Sequence, residues 1–182
     1  MDGVGIPILV QVGAMEACVW ERLRNFFSSE RTLALDPEFA YHPGRGQYHS
    51  TELLAMLPPG AVGVTGVDLY IPILEFVFGE AQLGGRRAVI STFRLRQELY
   101  GLPADPALMV ERAIKETLHE GATPWACATA RATTAPCTPP TPLNLLDLKG
   151  DGYCPACAGR VRRVGLRDGI GVPRASPVLQ SP

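Results

Sequence analysis

At 182 residues, with 46% hydrophobic and 19% charged residues, the chain is sized for one domain with a real core and is too apolar to be disordered throughout. Seventeen Lys and Arg against 18 Asp and Glu leave a net charge of −1, so no global field points to nucleic acid or to an anionic membrane. The longest apolar stretch near the start, Ile6 to Ala14, is broken by Pro7 and Gly13, lacks a basic leader and is too short to span a bilayer; a cytoplasmic, monomeric protein is expected.

Ile6 to Val12 is an apolar, β-branched run that predicts a strand, and Met15, Val19, Leu23 and Phe26 or Phe27 then fall on one helical stripe. Ser50 to Leu57 predicts a short helix, capped by Ser50 or Thr51 and stopped by Pro58-Pro59-Gly60. Val62 to Val67 and Ala88 to Ser91 read as inner strands, whereas Leu74 to Phe78 reads as an edge strand because Glu75 interrupts its apolar face. Alternating units of this kind imply the α/β class. The strongest helix opens at Asp105-Pro106, an N-cap followed by proline at the first helical position, and runs through Leu108, Val110, Ile114 and Leu118 until Pro124 ends or kinks it. From 121 to 142 the chain turns Ala-, Thr- and Pro-rich, with no hydrophobic period. After Arg163 it carries no core pattern, so a single domain over 1–163 and a disordered tail over 164–182 are expected.

His119-Glu120, at the end of that helix, is the first half of the zincin pattern His-Glu-x-x-His. There, two histidines one turn apart bind zinc and the glutamate takes a proton from metal-bound water. Alone, the pair is weak evidence, and a partly exposed helix end with a solvated histidine is the better reading of it. The second histidine would fall at Thr123 and a third ligand at Thr129, and neither replaces an imidazole. The five cysteines, Cys18, Cys127, Cys137, Cys154 and Cys157, form an odd set unlike a secreted disulfide framework. Cys154-Pro-Ala-Cys157 has the spacing of a zinc knuckle, and its place near the C-terminus after a loop favours zinc over a thioredoxin-like redox role. Cys127 and Cys137 are available as the other two ligands, although their spacing is not that of a familiar knuckle.

Taken together and in order, Arg45-Gly-Gln-Tyr-His-Ser50, Val64-Thr-Gly-Val-Asp-Leu-Tyr70, Phe76-Val-Phe-Gly-Glu-Ala81, Ala88 to Ser91 with Arg94-Leu95, and Glu111 to Glu116 before His119-Glu120 resemble the archaemetzincins. The resemblance runs from about Ile6 to Val161. It departs at Gly66, where these proteins usually carry an acidic residue. It implies a compact single-domain metzincin-like (zincin) fold, with a mixed twisted sheet, a central active-site helix and a C-terminal zinc knuckle. It also implies a metallopeptidase acting on peptide or protein substrates, with one catalytic and one structural Zn2+ ion. His119 is implied as a ligand of the catalytic ion and Glu120 as the general base. Cys154 and Cys157 are implied as ligands of the structural ion.

Between Glu120 and Cys154 the family's motif, His-Glu-x-x-His-x-x-Gly-x-x-His-Cys followed by Cys-x-Met, is missing from the written sequence. Back-translated with degenerate codons and read from the third base of the Gly121 codon, the segment can spell it. Ala122-Thr123 permits His, Trp125-Ala126 forces Gly, Ala128-Thr129 permits His, Thr129-Ala130 and Thr134-Ala135 permit Cys, and Pro136-Cys137 permits Met. The expectation is two compensating frame changes, one just after Glu120 and one near Pro142 to Leu145, leaving the written chain without two zinc histidines and inactive. The competing expectations are a non-catalytic structural zinc-binding protein, using Cys127, Cys137, Cys154 and Cys157, and a plain α/β binding module.

Overall fold

The computed structural model describes residues 8–27, 29, 31–82, 85–122 and 143–150. Its first strand, β1 (Ile8–Val12), alternates little: Leu9, Val10 and Val12 are all buried, as expected of a strand covered on both faces. Helix α1 (Ala17–Phe26) follows and buries Val19 and Leu23, and Phe27 just beyond it is buried too, while Met15 packs on the core from the loop before the helix. Strand β2 (Thr32–Leu35), mostly exposed and not foreseen from the sequence, then pairs in parallel with β1.

Strands β3 (Tyr41–His42) and β4 (Gln47–His49) begin a small second sheet, which β6 (Leu69–Tyr70) completes in the order β3-β4-β6. Helix α2 (Ser50–Met56) has the predicted extent but not the predicted cap. Its N-cap is His49, without a side-chain cap bond, and the Ser50 and Thr51 hydroxyls are used elsewhere. The main sheet runs β2-β1-β5-β8-β7, with β5 (Ala61–Thr65) and β8 (Arg87–Ser91) as the expected inner strands and β7 (Gly79–Ala81) antiparallel at one edge.

Two apolar layers sandwich this sheet. On one face α1 and α3 (Pro106–Ala122) cover Leu9, Val62, Val64, Ala88 and Ile90; on the other, Leu53 and Leu57 cover Val10, Val12, Ala61 and Val89. Gly66 accounts for its own residue type here, since a Cβ would stand 2.8 Å from the Ala14 carbonyl oxygen.

The edge strand was expected at Leu74 to Phe78 and lies instead at Gly79–Ala81. The reason is where the backbone carbonyls go. Arg45 donates to the Leu74 and Glu75 oxygens at 2.9 and 3.1 Å, and Gln47 donates to the Glu75 oxygen at 2.9 Å, so side chains take the acceptors a ladder would use. A last short helix, α4 (Leu143–Leu146), docks on α3. Residues Cys127, Cys137, Cys154 and Cys157, Pro124, the 121–142 segment beyond Ala122 and the 164–182 tail lie outside the described residues.

Candidate active-site helix and edge strand

Helix α3 starts as its sequence dictates: the Leu108 amide donates to Asp105 Oδ1 at 2.9 Å, an N-cap bond, with Pro106 at the first helical position where no amide is needed. Met109, Val110, Ala113 and Leu118 turn into the core. The helix therefore delivers His119 and Glu120, both buried, at its C-terminal end beneath the sheet. His119 Nε2 lies 3.9 Å from Glu120 Oε1.

Gly79 fixes how close Glu120 comes to the edge strand. A Cβ at residue 79 would stand 2.7 Å from Glu120 Cγ and 2.8 Å from the Val89 carbonyl oxygen, so only a hydrogen fits between the glutamate and β7. The next residue, Glu80, projects to the opposite face of the sheet, where Ser50 Oγ and Thr51 Oγ1 both donate to its carboxylate. Hydrogen bonds from Ser91 N to Phe78 O and from Gln82 N to Arg87 O set the alternation of the β7–β8 ladder. By that alternation Gly79 and Ala81 turn their amides and carbonyls away from β8, toward the side of β7 on which no described strand lies.

The charges here are acidic and dry. Burial, then the Glu116 carboxylate, then that of Glu80 hold the Glu120 carboxyl well above its ordinary range. One turn earlier Glu116 is pushed up to about 7 by burial, against the opposing pull of Lys149. The same surroundings disfavour the ionised form of Glu120, which calls for a cation beside it.

A second constellation, missed as a unit by sequence reasoning, holds the approach to β7. Arg94 donates to both oxygens of buried Asp68 at 2.9 and 2.6 Å, and Gln47 Nε2 donates to the same carboxylate at 3.0 Å. The Arg94 guanidinium also lies 4.4 Å from the Phe76 ring centroid, and that of Arg45 lies 4.3 Å from Tyr70. Charged residues flanking apolar strands were the available signal, but their convergence needs the fold.

His119 is the sole imidazole on α3, and among the described residues no three His, Cys, Asp or Glu side chains come together to hold a metal; positions 123 and 129, where the sequence pattern would put further histidines, lie outside the described residues.

Residues 45–163 match the sequence profile of Peptidase family M54. A curated archaemetzincin of Methanocaldococcus jannaschii is 51% identical over 87 residues, 46% of this chain and 49% of that protein, so the aligned stretch spans about half of the curated relative's length. The crystal structure of archaemetzincin from Archaeoglobus fulgidus, complexed with malonate, superposes with a TM-score of 0.69 at 33% identity, over 84% of this chain and 98% of that one. That of archaemetzincin from Methanopyrus kandleri superposes with a TM-score of 0.72 at 27% identity, over 92% and 99%. The mixed sheet with an antiparallel edge strand over a long buried helix is thus the archaemetzincin fold, and the chain belongs to peptidase family M54.

Proposed function

We propose that this chain is a zinc-metallopeptidase scaffold of archaemetzincin type whose peptide-hydrolysing site is incomplete as written. The observation that carries the proposal is the placement of Glu120, next to His119 at the end of α3, against Gly79 of edge strand β7, with threonine at 123 and 129 in the sequence. The outward amides and carbonyls of Gly79 and Ala81 suit an extended peptide added as a further strand, which would bring its backbone past Glu120. Zinc, where a family site is complete, supplies Lewis-acid polarisation and a water of lowered pKa. In this chain burial and the neighbouring carboxylates disfavour the ionised form of Glu120, and among the described residues His119 has no second and third metal-ligating side chain gathered beside it. The loss is ascribed to the compensating frame changes that restore His at 123 and 129 and Gly at 126 on paper. Cys154 and Cys157, with Cys127 and Cys137 in the written chain, are the proposed ligands of a separate structural ion.

The test compares the purified chain as written with a chain carrying the shifted-frame reading of 121–142. The first is expected to show no chelator-sensitive peptidase activity; the second is expected to gain one zinc ion per chain and such activity. Chelator-sensitive hydrolysis by the chain as written, surviving Glu120→Ala as a contamination control only in part, would refute the proposed inactivity.

A further inference from the structure

Three charged side chains on α3 are buried against α4 and the residues that follow it: Arg112, Lys115 and Glu116 are 5%, 2% and 7% exposed. A buried charge without a counter-charge costs several kcal/mol; Lys115 has Glu111 on its own helix, but the Arg112 guanidinium requires an acid from elsewhere. Residues 143–149 supply it. Arg112 Nε and Nη2 donate to the two Asp147 oxygens at 2.6 and 2.7 Å, and Arg112 Nη1 donates to the Leu95 carbonyl at 2.8 Å. Lys115 Nζ donates to the Asp147 carbonyl at 3.1 Å and pairs with Glu111 at 2.6 Å. Lys149 is buried where its charge acts on Glu116. Leu146 enters the main core and Leu143 packs at its margin.

We infer that residues 143–149 are the native partner of α3, so that Asp147 and Lys149 are positioning residues for the helix carrying His119 and Glu120, and the departure from the family's text ends before Leu143. A stretch read out of frame has no cause to place an acid and a base two residues apart opposite Arg112 and Glu116, with leucines at the apolar contacts. The inference deepens the proposed function: it confines the second frame change between Cys137, the last codon that contributes a shifted family residue, and Leu143. It also means that α3 is held from behind whatever the intervening sequence is.

The chain as written serves for the test. Asp147→Asn is expected to lower the folding equilibrium constant about 30-fold, the partly exposed side of the pair tempering the full effect of a broken buried pair. Leu148→Asn, at a largely exposed neighbour, is expected to stay within about threefold. Arg112→Gln combined with Asp147→Asn is expected to cost less than the two singly, because the pair acts as a unit. Asp147→Asn indistinguishable from Leu148→Asn, or strict additivity in the cycle, would overturn the inference. So would a coding DNA whose shifted frame continues as family text past codon 143. A coding DNA with no shifted His, Gly and His codons at 122–129 would instead sink the frame-change account alone, leaving the coupled Arg112 and Asp147 measurement to decide the docking.

Discussion

Replacing Gly79 by alanine tests whether β7 and Glu120 are packed as closely as the structure places them. The new Cβ would sit 2.7 Å from Glu120 Cγ, 2.8 Å from the Val89 carbonyl oxygen and 3.2 Å from Ile90 Cγ2, where carbon contacts settle at about 3.5–4.0 Å. Glu120 could retreat by a rotamer change, but Val89 belongs to inner strand β8 and its backbone cannot. Overpacking of this kind costs about 1–3 kcal/mol, and two of the three clashes are with fixed neighbours, so the upper half of that range applies. Against it, alanine in a strand recovers roughly 0.5–1 kcal/mol of glycine's chain entropy. The net expectation is a loss of about 2 kcal/mol, read as a lower urea midpoint at unchanged m and a melting temperature about 4–8 °C lower for a domain of this size. In a Glu120→Ala background the clash with Cγ disappears and part of the loss should be recovered. A Gly79→Ala change below about 0.5 kcal/mol, within the range of an ordinary surface substitution, would refute the close packing of the edge strand on α3.

Glu116→Gln should flatten a pH slope. The folded carboxyl keeps its proton up to about 7 against an ordinary 4.5, so the wild-type chain loses stability as pH rises from about 4.5 to 7 and no further above it. The whole effect is on the order of 3 kcal/mol, and the difference in unfolding free energy between the two chains, measured from pH 4 to 8, should grow over that window alone. Asp147 has the opposite sign: its carboxyl is held below the ordinary range chiefly by the Arg112 hydrogen bonds, so its contribution is present above pH 4 and lost on further acidification. Asp68→Asn should remove the anchor of Arg94 and Gln47 and cost about 2–3 kcal/mol, with faster amide exchange over 71–78 as the local readout.

What the sequence made legible follows from how local each cause is. The Asp105-Pro106 start of α3, the inner strands β5 and β8 and the core stripe of α1 depend on capping, on continuous apolar runs and on 3.6-residue spacing, which are short-range properties. The edge strand was misplaced by five residues because Arg45 and Gln47, about 30 residues away, take the carbonyls of Leu74 and Glu75. The Ser50 and Thr51 hydroxyls looked like caps and instead hold Glu80, again a long-range choice. His119 and Glu120 were legible as half a motif, whereas the role of Gly79 was not, since nothing local distinguishes a glycine that admits a side chain from the next element.

The same asymmetry explains why a broken motif and an intact fold can coexist. Metal ligation demands particular side chains at a few positions, so on the proposed reading, with ligands at 119, 123 and 129, a change of text over twenty residues is enough to remove it. The fold depends instead on contacts distributed over β1, β5, β8, α1 and the face of α3 before Glu120, all of which precede the break, and on the return contact of Asp147 with Arg112 after it. His119 and Glu120 sit in the last turn of α3, directly before the altered text. Restoring that text should therefore change metal content and hydrolysis far more than it changes the stability of residues 8–120. Equal shifts in both would mean that α3 is not held by the sheet and by 143–149 in the way the buried charges require.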